Sequence, residues 1–150
     1  MTDRVWVTLE RDEDGYPPCD EESIAAKQDD AGPKYWELLG PPLFSNHLSL
    51  GDVVEVAIYE GRKWATSVER HSDRSTIRVV AFSGDVHDEI LGLGQRFGIT
   101  VLHTNIQLFF ALDIPTDADF RGLWNALRDG VERGAWECFV GSIWPGHPTI

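Results

Sequence analysis

The sequence predicts an α+β chain in two parts. The first, residues 1–75, reads as a small, strongly bent antiparallel β-sheet or partial barrel. The second, residues 76–150, reads as a β-α-β-β-α-β unit. Three observations carry this. Apolar residues alternate with polar ones through Val5-Trp6-Val7-Thr8-Leu9 and again through Val53–Tyr59, the pattern of half-buried strands. Val86, Ile90, Leu93 and Phe97, and later Phe120, Leu123, Trp124, Leu127 and Val131, switch to helical spacing and form two apolar stripes. Finally, those stripes fall between four strand-like runs, Thr76–Phe82, Ile99–Thr104, Leu108–Ile114 and Trp136–Ile143. That order is the split βαβ, or ferredoxin-like, pattern. Right-handed crossovers put both helices on one face of its sheet.

Each element has a local cause. Val5, Val7 and Leu9 share one face of the first strand. Asp14-Gly15 supplies a turn, and Pro17-Pro18 fixes an extended exit. Residues 10–30 hold nine acids and two bases with few large apolar side chains, which predicts a solvated loop with at most one short helix near Glu21–Lys27. Order resumes at Tyr35–Leu39 and breaks at Gly40-Pro41-Pro42. Gly51-Asp52 turns the chain into Val53–Tyr59. Glu60-Gly61 makes a hairpin turn, and Lys63–Glu69 returns as its partner. Asp85 is placed to cap the first helix and Gly98 to stop it. Thr116-Asp117-Ala118-Asp119 resembles a capping box for the second, with Gly134 as its terminator.

Composition narrows the function classes. The chain has 150 residues, 25 acids against 13 bases, and a formal net charge of −12. With 42% apolar residues, and six Trp, seven Phe and three Tyr, it is no disordered acidic tail. A chain this long buries roughly two-thirds of its surface. Phosphate recognition needs basic surface, so duplex nucleic acid is not the expected ligand. No apolar run of membrane-spanning length occurs, and the N-terminus Met1-Thr2-Asp3-Arg4 lacks the basic-then-apolar pattern of a secretory signal. Two cysteines, Cys19 and Cys138, are too few for a disulfide scaffold. The expectation is a cytoplasmic protein with reduced thiols.

Chemistry is thinner. Asp12, Glu13, Asp14, Asp20, Glu21 and Glu22 make the N-terminal stretch a candidate surface for a basic protein partner, with Trp36 as an aromatic contact; a solvated charged loop is the plain alternative. Their spacing matches no calcium loop, and no metal or other cofactor is implied. Arg62, Lys63, Arg70, Arg74 and Arg78 concentrate five bases within 17 residues, among His71, Ser72, Ser75 and Thr76. Arg70, His71, Arg74 and Arg78, with Trp64 as a stacking wall, form a candidate pocket for a small anionic ligand at the junction of the two parts. Pairing of these arginines with the acidic loop is the competing expectation. His71 and Asp73 share a face if the segment is a strand, but no nucleophile elbow or metal-binding histidine pair accompanies them. Trp124, Trp136 and Cys138 read as core. Trp36, Trp64 and Trp144 are harder to bury by pattern. No residue is identified as catalytic.

One resemblance covers nearly the whole chain. Asp14-Gly15-Tyr16-Pro17-Pro18, Glu22, Pro42-Leu43-Phe44, Leu48-Ser49-Leu50-Gly51-Asp52-Val53-Val54, Ser72–Val79 and Leu112-Asp113-Ile114-Pro115 occur in that order. The ordered set resembles the bacterial domain of unknown function 4265 family. The family tends to have Trp near Ala25, Asn before the proline at Pro42, and Gly where Asp73 stands. The resemblance implies a small soluble bacterial protein and supplies no activity. Two expectations therefore stand. The first is a non-catalytic acidic binding or regulatory protein, immunity- or antitoxin-like, engaging a basic partner. The alternative is an anionic-ligand or enzymatic site in biosynthesis or self-resistance. A homodimer through sheet edges or faces is compatible with either.

Overall fold

The computed structural model describes residues 2–147; the sequence predicts a Pro/Gly-containing tail over residues 144–150, and its last three residues lie outside the described ones. Among the described residues, nine strands and two α-helices fall into two compact units, Met1–Ser72 and Asp73–Ile150. The chain is a mixed α+β protein.

In the first unit, β1 (Thr2–Thr8), β2 (Glu21–Gln28), β3 (Tyr35–Leu38), β4 (Val53–Tyr59) and β5 (Arg62–Arg70) form a closed barrel. Neighbours in sequence pair antiparallel. Closure comes from a parallel contact of β1 with β5, Val5 opposite Lys63 and Trp6 opposite Trp64. Closing the sheet removes both of its free edges. The interior is filled by Val5, Ile24, Ala26, Trp36, Leu38, Leu48, Val54 and Val56. The β4–β5 hairpin turns at Glu60 and Gly61, both at positive φ (50° and 77°), the backbone that a two-residue hairpin requires.

The strand assignments in this unit include a correction. Residues 21–28 form a strand, not a loop or short helix. Ile24 and Ala26 alternate inward at 4% and 0% exposure. Small inward residues beside Trp36 satisfy a barrel wall without a run of large apolar side chains, and the density of acids in the stretch hides them.

In the second unit, the element order is β6 (Ser75–Ala81), α1 (His87–Phe97), β7 (Thr100–His103), β8 (Phe109–Ile114), α2 (Phe120–Glu132), β9 (Trp136–Ser142). The four strands lie in the order β7-β8-β6-β9, every neighbouring pair antiparallel. Ile90, Leu93 and Phe97 of α1 and Phe120, Leu123 and Leu127 of α2 join one core with Ile77, Val79, Phe110, Leu112, Ile114 and Trp136. Both helices therefore pack on the same face of the sheet.

The helix ends differ in detail from expectation. Ser83, not Asp85, supplies the capping oxygen, accepting from Asp85 N at 3.2 Å at a short 3₁₀ turn before α1. Gly98 closes α1 at φ 71°. The cap of α2 is Asp119, whose Oδ1 accepts from Gly122 N at 3.0 Å; Thr116 instead donates its hydroxyl to Asp73 O at 3.0 Å. Val131 is 43% exposed, outside the core stripe, and buried Gly130 takes its place against Trp136.

Candidate functional site

The acidic loop between β1 and β2 is built from its own sequence. Leu9 N donates to Asp20 O at 2.8 Å across its base. The Asp12 carboxylate accepts from Asp14 N and Tyr16 N, both at 2.9 Å, and Asp12 N donates to Tyr16 O at 2.7 Å. Gly15 sits at φ 78°, where a side chain would be strained, and the Tyr16–Pro17 peptide is cis. The Tyr16 ring meets Phe44 edge-on at 5.9 Å. Around this frame Glu10, Glu13 and Asp14 are exposed and make no ion pair among the described residues, whereas Asp20 pairs with Arg11 at 3.1 Å.

The other residues read as partner-binding divide. Glu21 faces outward and pairs with Arg62 at 2.9 Å. Glu22 is turned to internal use. Its carboxylate accepts from Leu43 N, Phe44 N and Ser45 N at 2.9, 3.2 and 2.6 Å, gripping the loop that follows Pro42. Three amides converging on one carboxylate make a strong, charge-assisted anchor. Trp36, expected at a surface, is 2% exposed in the barrel core, with Nε1 donating to Pro33 O at 3.2 Å. Period-two alternation in the four-residue strand β3 is too short to assign its face.

The basic cluster is distributed over the two units, and its members already have partners. In the first unit Arg70 pairs with Asp29 at 3.3 Å. His71 Nδ1 lies 3.4 Å from the buried carboxylate of Asp52, which also accepts from Ser49 N and Ser72 N at 3.0 and 2.8 Å. His71 thus faces Asp52 and not Asp73, which sits in a turn at φ 60° between β5 and β6. Trp64 lies beside Trp6 at 6.2 Å, and Arg62 stacks on Trp6 at 4.0 Å. In the second unit Arg74 makes a two-pronged pair with buried Asp113, which pushes the guanidinium pKa further up, through the hydrogen bond first. Arg78 is 2% exposed, its guanidinium close against the backbone at Gly141, where any side chain would collide with it.

Sequence reasoning missed one arrangement. Ser75 Oγ and His147 Nδ1 are 2.6 Å apart, and His147 Nε2 is 3.0 Å from Pro115 O. A carbonyl can only accept, so Nε2 donates to Pro115 O; in the neutral imidazole Nδ1 is then the acceptor of the Ser75 hydroxyl. Ser75 Oγ in turn accepts from Trp144 N at 2.9 Å, and the imidazole stacks on Phe120 at 4.8 Å. Ser75 and His147 are 0% and 4% exposed. Closed off from solvent, the Ser75 hydroxyl and the imidazole are placed for a structural bond. The pair latches the C-terminal tail to the sheet. Only the third dimension brings positions 75, 115 and 147 together, so no spacing in the sequence signals it.

Both cysteines are free thiols, and burial pushes the Cys138 thiol up to about 12. Among the described residues, no three His, Cys, Asp or Glu side chains are grouped to hold a metal ion, and no helix is long and apolar enough to cross a membrane.

No curated protein matches the chain. Among solved structures, a hypothetical protein from Neisseria gonorrhoeae is similar over 96% of each chain, with a TM-score of 0.79 at 17% identity; this likeness shows the fold alone. The profile of one family matches residues 22–138, most of the barrel and nearly all of the sheet unit up to β9. The chain belongs to the family described as domain of unknown function (DUF4265).

Proposed function

We propose that the chain is a non-catalytic binding or regulatory protein whose acidic β1–β2 loop engages a basic protein partner, in the manner of an immunity or antitoxin protein. One observation carries this. The loop is ordered by its own hydrogen bonds, yet leaves Glu10, Glu13 and Asp14 exposed and without ion pairs among the described residues. A preformed acidic surface on a chain of net charge −12 steers a basic partner and loses little on ordering. The order β7-β8-β6-β9 supports reading the second unit as ferredoxin-like, and the link from that scaffold to binding is one of analogy. Two free cysteines support a cytoplasmic setting. The anionic-ligand alternative has less to draw on, because Arg70, His71 and Arg74 each already face a carboxylate.

Affinity capture from a native extract tests the proposal, comparing the wild type with the triple variant Glu10→Gln, Glu13→Gln, Asp14→Asn. The wild type is expected to retain a basic protein at low salt and less of it at physiological salt, where screening shortens the field. The variant is expected to lose it. Failure to retain any basic protein at either salt, or equal retention by the variant, overturns the reading.

A further inference from the structure

The second unit carries an apolar groove of about 280 Å³ between α2 and the outer strand β9, lined by Trp124, Leu127, Val131, Cys138 and Val140. Val131 and Val140 are 43% and 47% exposed, large fractions for valines that face the same groove. The strand beneath them is an edge: in the order β7-β8-β6-β9 it has a neighbour on one side only. Edges of soluble sheets are commonly defended by shortness, proline, lysine or a β-bulge. The opposite edge, β7, has four residues; β9 has seven, Trp-Glu-Cys-Phe-Val-Gly-Ser, with no proline or lysine, and its ladder with β6 is regular from Trp136 to Val140 and shifts register between Val140 and Ser142.

We propose that a second copy of this chain covers this edge, β9 pairing antiparallel with β9 of the partner copy about a two-fold axis. This goes beyond the acidic-loop reading and does not rest on it. The sequence of β9 is self-complementary in a register centred on Phe139. On the helix-covered face it sets Cys138 opposite Val140 of the other copy, continuing the apolar groove across the axis. On the other face it sets Glu137, the strand's one charge, opposite Gly141. No like charges meet, as they would in a register centred on Glu137. The groove rim supports the same symmetry. Arg128 and Glu132, one helical turn apart, carry opposite charges and form no ion pair among the described residues. A two-fold axis passing between α2 and its copy can pair Arg128 with Glu132 twice, as an isologous interface requires.

The salt dependence separates this from the proposed function. Two copies, each of net charge −12, repel, so backbone pairing and apolar burial are favoured as salt rises. Capture of a basic partner by the acidic loop weakens as salt rises. Multi-angle light scattering and sedimentation of the full chain, at low and high salt and at high micromolar concentration, provide the test. The wild type is expected at twice the chain mass of 16.9 kDa, with the dimer more populated at high salt. Val140→Glu, and independently Val131→Lys on the helix side, are expected to return single-chain mass with unchanged circular dichroism; both side chains are exposed enough to be replaced without loss of the fold. Arg128→Glu is expected to weaken the dimer and Arg128→Glu with Glu132→Arg to restore it. A wild type that stays at single-chain mass under all conditions overturns the proposal. So does a dimer that neither valine variant weakens, or one that the charge reversal leaves unmoved.

Discussion

Glu22 separates a residue's charge from its use. A carboxylate in a run of acids reads as surface, yet this one accepts three backbone amides from residues 43–45. Charge-assisted bonds are worth about 1.5–3 kcal/mol each when a partner is lost, less where water can substitute. Glu22→Ala is therefore expected to cost about 2–3 kcal/mol in urea unfolding. A change below about 0.5 kcal/mol, the range of ordinary surface substitutions, would show that water takes over the three amides. Cys138 makes the complementary point, since its place in a strand is readable and its chemistry follows from burial. Its thiol is pushed from an ordinary 9.0 up to about 12. The folded state thus holds this proton more tightly than the unfolded state between those values. Stability is unaffected below the lower value and falls as pH rises through the window. Native alkylation near neutral pH is expected to leave Cys138 unmodified, while in urea both thiols react. Rapid labelling of both in the folded protein contradicts the assignment. What residue-level reading lacks is the partner: once β2 is a strand, alternation puts Glu22 on the face of Ile24 and Ala26 and Glu21 outward toward Arg62, but nothing local names the three amides that Glu22 meets.

Elements are more legible than their contacts, and α2 shows why. Its stripe of Phe120, Leu123 and Leu127 is visible as spacing, and all three are core. Spacing alone then continues the stripe to Val131. The sheet side of the helix at that level instead belongs to Gly130, because Trp136, 1% exposed, needs the room. A Cβ at Gly130 would lie 2.0 Å from Trp136 Cε2, and that indole is fixed by its Nε1 bond to Leu127 O at 3.0 Å. Alanine ordinarily stabilises a helix interior by about 1 kcal/mol relative to glycine. Here overpacking of about 1–3 kcal/mol or more opposes that gain. Gly130→Ala is expected to lower the melting temperature, and Gly92→Ala in α1, where a Cβ meets nothing within 4 Å, to leave it unchanged or raise it. Equal gains at both sites would show that the indole moves aside freely. The strand β2 escapes for the mirror-image reason: its inward residues are small, so its hydrophobic weight is low although the alternation is present.

At the scale of the whole molecule, connectivity is what the sequence conceals most. Hairpins between neighbours are local and can be anticipated, whereas the barrel closes through a parallel contact between its first and last strands that no local pattern announces. Charge, by contrast, is a property of the whole and is readable from the start. The first unit holds fifteen acids and seven bases, the second ten and six. Two opposing effects of salt follow. Exposed pairs such as Arg11–Asp20, Lys27–Glu37 and Arg70–Asp29 stabilise weakly, about 0–1 kcal/mol each, and screening reduces them. The unpaired excess of acids destabilises both units by mutual repulsion, and screening over about 8 Å at physiological ionic strength relieves it. With acids outnumbering bases nearly two to one, repulsion outweighs pairing. The melting temperature is therefore expected to rise as sodium chloride is added from low to physiological concentration, measured at protein concentrations low enough to exclude self-association. A fall over that range would mean that the exposed ion pairs outweigh the excess charge. The acidic surface would then be neutralised within the chain and would offer little to a basic partner.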